Sequence, residues 1–222
     1  MAEEVKAVLK NADAVCFDVD STVIREEGID ELARFCGKYK EITELTAKAM
    51  GGGMTFQESL KMRLSILNPT RKQVDEFIRT KPATLTPNVD KLIALLQRKR
   101  IPVYLISGGF KCIIEPIAQK LNISEENVFA NRMKFYFNGD YAGYDENAPT
   151  SKSGGKAVAI QHLKDTKRYK TVVLIGDGAT DLEACPPADA FIGFGGNVIR
   201  LTVKERAKWF VTDFNDIINV IN

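Results

Sequence analysis

The chain has 222 residues, 45% of them hydrophobic and 27% charged. This is a globular mixture that excludes a disordered or collagen-like polymer, and it is long enough to bury a core without disulfide or metal staples. Lys and Arg number 31 against 29 Asp and Glu, a formal charge of +2, which argues against nucleic acid or an anionic membrane surface held through bulk charge.

The first strand is expected at residues 14–17, an apolar run without alternation that reads as buried on both faces. It runs into Asp18-Val19-Asp20-Ser21-Thr22. Helical patterns follow over 26–36, 42–49, 56–67 and 71–78, broken by Gly51-Gly52-Gly53 and bounded by Pro69, Pro82 and Pro87. So long a stretch between the first two strands exceeds one crossover and predicts a helical cap, residues 25–78, inserted into a core made of 1–24 and 79–222. A helix over 89–100 leads to a strand at 103–106 that ends in Ser107-Gly108-Gly109 and is followed by a helix over 110–121. Residues 127–144 predict a small hairpin with a type I′ turn at Asn138-Gly139. A helix over 156–165 precedes a strand at 172–175 that ends in Gly176-Asp177-Gly178-Ala179-Thr180-Asp181. Strands at 190–193 and 209–211 flank a helix over 198–208. Alternating strand and helix predicts an α/β fold with a parallel sheet, helices on both faces and ligands beyond the carboxyl ends of the strands.

Cys16, Cys36, Cys112 and Cys185 are far apart and form no C-x-x-C pair, so neither a zinc site nor a disulfide framework is expected. The first residues lack the apolar core of a signal peptide, and no apolar run approaches the ~20 residues of a membrane span. A soluble cytosolic protein is expected. His162 is the only histidine and reads as structural, and Trp209 reads as core.

The chemistry-bearing residues gather at strand ends. Asp18 and Asp20, two apart past an apolar strand, fit a solvated turn or a carboxylate nucleophile with an acid–base partner. Ser107, Gly108 and Gly109 fit an N-cap or an anion site. Asp177 and Asp181 fit an acidic turn or ligands for a hard cation such as Mg²⁺. Lys156 fits surface charge or a fixed cation beside a phosphate. All of them converge on one sheet edge, and that convergence describes a phosphoryl-transfer site. A phospho-accepting receiver domain also sets Asp, Ser/Thr and Lys at strand ends, but it is shorter and has neither a second carboxylate like Asp20 nor a helical cap.

Asp18-x-Asp20-x-Thr22, Ser107, Lys156 and Gly176-Asp177-Gly178-x-x-Asp181 resemble the four motifs of the haloacid dehalogenase superfamily of phosphatases. The segments 17–23, 26–32, 106–110, 131–139 and 190–196 resemble its eukaryotic branch acting on phosphoserine. The resemblance implies a Rossmann-like parallel sheet with a helical cap and a small β-hairpin, Mg²⁺ as cofactor, and hydrolysis of O-phosphoserine as the last step of serine biosynthesis. It implies that Asp18 attacks phosphorus and Asp20 is the acid–base. Asp18, the main-chain carbonyl of Asp20, and Asp177 would hold the metal, with Asp181 in support. Ser107, Gly108, Gly109, Lys156 and Gly51 would hold phosphate. Glu27 would read the substrate ammonium and Arg63 its carboxylate, with Met50 and Thr180 lining the pocket. Monomer and homodimer both stay open.

Overall fold

Asp18 follows the central strand of a six-stranded parallel sheet, and the rest of the fold can be read outward from that position. A computed structural model of the chain describes the backbone of residues 1–50 and 54–222, and the side chains of these apart from 47–50. In chain order its elements begin with α1 (Ala2–Lys10), β1 (Ala14–Phe17), α2 (Gly28–Phe35), α3 (Tyr39–Met50), α4 (Phe56–Leu67), α5 (Arg71–Thr80) and α6 (Val89–Arg98). Then come β2 (Val103–Phe110), α7 (Lys111–Lys120), β3 (Val128–Asn131), β4 (Met133–Phe135), β5 (Tyr141–Tyr144) and α8 (Gly155–Lys167). The last elements are β6 (Val172–Gly176), α9 (Ala179–Leu182), β7 (Ala190–Phe194), α10 (Leu201–Arg206), β8 (Trp209–Val211) and α11 (Phe214–Ile221).

The sheet runs β3-β2-β1-β6-β7-β8. All four residues of β1 are buried, which is why the run shows no alternation. Phe17 lies beside Leu105 of β2 and Ile175 of β6, so Asp18, Ser107 and Asp177 emerge near one level. The strand order switches direction at β1, where open parallel sheets leave a crevice. One apolar cluster, with Val15, Phe17, Leu92 and Phe214, fills one face of the sheet. A second, with Cys16, Tyr104, Ile160 and Leu174, fills the other.

A third cluster belongs to the helical insert: Leu32, Ile42, Leu60, Leu64, Val74 and Phe77 pack with Phe110 and Tyr144. Capping boxes start α4 at Thr55 and α5 at Thr70, each satisfying backbone donors that the first helical turn leaves free. The hairpin β4–β5 turns Met133, Phe135 and Tyr141 onto this third cluster, so its apolar face serves the insert rather than the sheet.

Several boundaries differ from expectation. β2 runs beyond the expected 103–106 to Phe110, with Ser107 to Gly109 extended, and α7 begins at Lys111, one residue later than expected. Gly108 and Gly109 tolerate close neighbours on an extended path. The hairpin turn is not type I′: Gly139 alone takes a positive φ of 88°, and its N–H donates to Tyr136 O at 2.9 Å. That is a type I turn closed by a glycine bulge, with one more loop residue than a two-residue turn. The helix expected over 198–208 shrinks to α10, with Arg200 as its N-cap. β3, α1 and α11 were not anticipated. His162 is exposed on α8 and packs edge-on against Phe129, and Trp209 is buried.

Candidate active site

Lys156, at the second position of α8, reaches across to the end of β1. Its Nζ donates to Asp18 Oδ1 at 2.7 Å and to Asp181 Oδ1, and all three side chains are buried. Asp181 also accepts from Gly178 N–H at 2.9 Å. Asp177, directly after β6, accepts from the Thr22 hydroxyl at 3.2 Å and from Arg200 Nε at 2.7 Å. One oxygen from each of Asp18, Asp177 and Asp181 lies within 4.8 Å of the others.

These residues fit a hard divalent cation. The donors are all carboxylate oxygens, the ligand type Mg²⁺ prefers. Asp18, Asp177 and Asp181 bond to Lys156 and Arg200 across the cluster, with Asp20 close by, and a divalent cation cancels the excess negative charge. The same excess shows in the acidities. Burial, then the charge of Asp181, pushes the Asp18 carboxyl well above the usual carboxylate range, against the pull of Lys156. Burial likewise raises Asp181. Burial alone would lower the Lys156 ammonium, but Asp18 and Asp181 outweigh it and raise it.

Asp20 faces elsewhere. Its Oδ1 accepts from Gly28 N–H, the first residue of α2, at 2.7 Å, and its Oδ2 accepts from the Ser107 hydroxyl at 3.3 Å. Gly109 N–H in turn donates to Ser107 Oγ at 2.8 Å. A Cβ on Gly109 would stand 2.9 Å from Asp20 Oδ2 and 3.0 Å from Ser107 Oγ, so only glycine lets the strand pass this close. Burial raises the Asp20 carboxyl, partly offset by the Gly28 hydrogen bond. A carboxyl raised in this way is displaced toward the acidity that general acid work requires.

The helical insert supplies the opposite wall. Between it and the sheet lies a cavity of about 460 Å³ whose lining includes Asp18, Lys156, Glu27, Arg63, Phe56 and Thr180. That volume suits a small molecule. Glu27, the N-cap residue of α2, accepts from Ser21 Oγ at 2.8 Å and from Arg200 Nη2 at 3.1 Å. Burial and the Asp20 charge push its carboxyl up to about 7. Arg63 on α4 has a buried Nε without a hydrogen-bond partner among the described residues. Burial lowers its pKa, and Asp30 and Glu27 oppose that shift. Met50 and Gly51 lie outside the residues whose side chains are described.

The structure thus brings Asp18, Asp20, Ser107, Gly108, Gly109, Lys156, Asp177, Asp181, Glu27, Arg63 and Thr180 to one place. Two contributors escaped the sequence reading. Arg200 joins Asp177 to Glu27, yet no motif flags it, because it lies within the expected helix over 198–208 with no chemical neighbour in sequence. Asn131 is fully buried, donates to Gly108 O at 2.8 Å and accepts from the Thr150 hydroxyl at 2.9 Å. It falls within the segment 131–139, but its bracing of the Gly108 backbone depends on tertiary contact.

Residues 12–189 match the hydrolase family described as haloacid dehalogenase-like hydrolase. The chain is 56% identical to phosphoserine phosphatase of Mus musculus over 215 residues, covering 97% of this chain and 96% of that one. Its structure resembles that of DsGPDH of Dunaliella salina with a TM-score of 0.87 and 35% identity, over 98% of this chain but only 37% of the larger one. It also resembles a phospho-aspartyl intermediate analogue of phosphoserine phosphatase, with a TM-score of 0.80 and 28% identity over 94% of this chain and 98% of the other. Among the described residues no helix is long and apolar enough to cross a membrane. With its sheet, its four-motif site and these likenesses agreeing, the chain belongs to the haloacid dehalogenase-like hydrolases, alongside the eukaryotic phosphoserine phosphatases.

Proposed function

We propose that the chain hydrolyses O-phosphoserine to serine and phosphate through a phosphorylated Asp18. The observation that carries this reading is the pair of opposite charges on the insert, facing the Asp18–Lys156 floor. Arg63 brings a guanidinium whose buried Nε is unpaired among the described residues, and Glu27 brings a carboxylate at the cavity wall. An amino-acid zwitterion needs one charge of each sign, and a sugar phosphate needs neither.

The first step forms a bond from Asp18 Oδ to phosphorus as the bond from phosphorus to the serine oxygen breaks. Asp20 gives its proton to that departing oxygen, an alkoxide too basic to leave unassisted. Serine departs. Asp20 then takes a proton from water, whose oxygen bonds to phosphorus as the Asp18–phosphorus bond breaks, and phosphate leaves with both aspartates restored. Two of the three Lys156 N–H donors are committed to Asp18 and Asp181, and the third is free for a phosphate oxygen. Ser107 and the main-chain amides of Gly108 and Gly109 complete that cradle. Asp18, the Asp20 carbonyl and Asp177 would hold Mg²⁺ with Asp181 in support. When bound, the ion supplies charge compensation for the transferring phosphoryl group. Arg63 grips the substrate carboxylate with a fork that lysine cannot reproduce, and the insert shields the site from water.

Four free cysteines suit a reducing cytoplasm, where this reaction would complete a route to serine. The test is phosphate release, with and without Mg²⁺, across a panel of phosphomonoesters that includes O-phosphoserine, sugar phosphates and nucleotides. Equal or greater turnover of a substrate without amino and carboxylate groups would refute the assignment.

A further inference from the structure

The segment Gly195-Gly196-Asn197 follows β7 and lies outside the catalytic constellation. Its asparagine nevertheless makes three contacts with the loop that holds Asp20 and with the two chain crossings that join sheet and insert. Asn197 Nδ2 donates to Ser21 O at 3.0 Å, to Ile24 O at 3.3 Å and to Thr86 Oγ1 at 2.7 Å. Two of these partners are carbonyls that can only accept, so the amide nitrogen, with its two hydrogens, must face them. An oxygen in its place would repel both.

The three partners belong to three pieces of machinery. Ser21 follows Asp20 and sits at φ 55°, ψ 1°, a left-handed conformation that costs energy in any residue with a Cβ. Its N–H donates to Glu26 O at 3.1 Å and its hydroxyl donates to Glu27. Ile24 lies on the outgoing crossing and bridges Leu85 on the returning one. Thr86 is buried on that return, its N–H donating to Val23 O at 2.9 Å. A single side chain therefore ties the turn behind Asp20 to both crossings.

The approach of Asn197 is itself constrained. A Cβ on Gly195 would stand 2.3 Å from Phe210, and one on Gly196 would stand 2.4 Å from Phe194 and 2.6 Å from Thr212 O. The two glycines let the backbone pass between these rings, while Gly195 N–H donates to Val211 O at 2.8 Å. The loop is thus anchored on the sheet before it reaches the crossings, and three residues later it delivers Arg200 to Asp177 and Glu27.

We infer that Asn197 is a positioning residue for proton transfer: it holds the left-handed turn at Ser21, and so the aim of Asp20 at the departing oxygen. The inference rests on the phosphatase reading above but not on the choice of phosphoserine as substrate. Asn197 touches no reacting atom, so its effect follows how much the leaving group needs a proton.

The experiment measures kcat/KM, which reports the phosphorylation step, for two substrates lacking amino and carboxylate groups. One is a simple alkyl phosphate and the other is p-nitrophenyl phosphate. The alkoxide needs the acid, worth ~10²–10⁴ in rate, and nitrophenolate scarcely does. Asn197→Ala is expected to lower kcat/KM by roughly tenfold or more on the alkyl phosphate and less than about threefold on the nitrophenyl ester. Asn197→Asp keeps the size but loses the donors, and it should show the same split if the alanine variant does not fold. Equal losses on both substrates, or no loss on either, overturn the inference. A wild-type chain that hydrolyses both esters but not phosphoserine defeats only the substrate assignment. One that hydrolyses neither ester nor phosphoserine ends the phosphatase reading and this inference together.

Discussion

The sheet edge and the helical insert meet at one cavity, but their charged groups are in different states. On the sheet side nearly every polar group already has a partner. Lys156 is shared by Asp18 and Asp181, Asp177 is held by Thr22 and Arg200, and Asp20 is held by Gly28 and Ser107. On the insert side Arg63 has a buried nitrogen with no partner among the described residues, and Glu27 leans on Arg200, a residue of the sheet side. The difference separates two tasks. Groups that stabilise a transition state gain by being fixed before the substrate arrives, because no reorganisation is then needed during reaction. Groups that read the substrate gain by having a bond left to make, because a wrong ligand then leaves a buried polar atom unpaired.

The comparison can be broken most severely at Asp18. Asp18→Asn is expected to reduce phosphoserine turnover by more than ~10⁴-fold, as removal of a nucleophile does, while thermal unfolding stays cooperative. Beryllofluoride should modify Asp18 in the wild type, and modification at another residue would end the assignment. Next in size is metal removal. A chelator should abolish turnover and Mg²⁺ should restore it. Ca²⁺, which takes more ligands at longer distances, should not. Mg²⁺ should also raise the thermal midpoint of the resting chain, because it binds only the folded carboxylate cluster. Full activity in chelator would contradict the site as described.

A change on the insert side sharpens the comparison, because it should spare the chemistry. Arg63→Ala leaves the substrate carboxylate without its partner, at about 2–5 kcal/mol, roughly a 30- to 5,000-fold loss in kcat/KM for phosphoserine. With p-nitrophenyl phosphate, which has no carboxylate, the same variant should lose less than about tenfold. Equal losses would assign Arg63 to folding or to phosphate binding.

The smallest expected effect is a pH dependence at Glu27. Burial and Asp20 push its carboxyl from the usual 4.5 up to about 7. It must be ionised to hold an ammonium, so KM for phosphoserine should rise as the pH falls below about 7. Glu27→Gln should raise KM and flatten that rise. The same shift carries a sign for stability. The folded chain keeps this proton where the unfolded chain has lost it, so the contribution of Glu27 falls as pH rises from about 4.5 to about 7. Thermal midpoints across that window should fall less steeply in Glu27→Gln than in the wild type.

Much of this molecule was legible in its sequence because the relevant signals are local. Apolar runs such as 14–17 and 172–175 mark strands buried on both faces, and a parallel sheet then places whatever follows them at one edge. That logic alone gathered Asp18, Asp20, Ser107, Lys156, Asp177 and Asp181. Resemblance added roles for Glu27 and Arg63, which no local pattern distinguishes from surface charge. The tertiary structure decided what depends on approach between distant segments. It kept Ser107 to Gly109 extended, because Gly109 must pass within contact of Asp20. It turned the hairpin onto the insert, where Phe135 and Tyr141 find apolar neighbours. It drew Arg200 and Asn197 from a loop without a motif into the site and the crossings. Sequence periodicity reports which face of an element is buried. Which side chain meets which across the cavity is settled only when the whole chain packs.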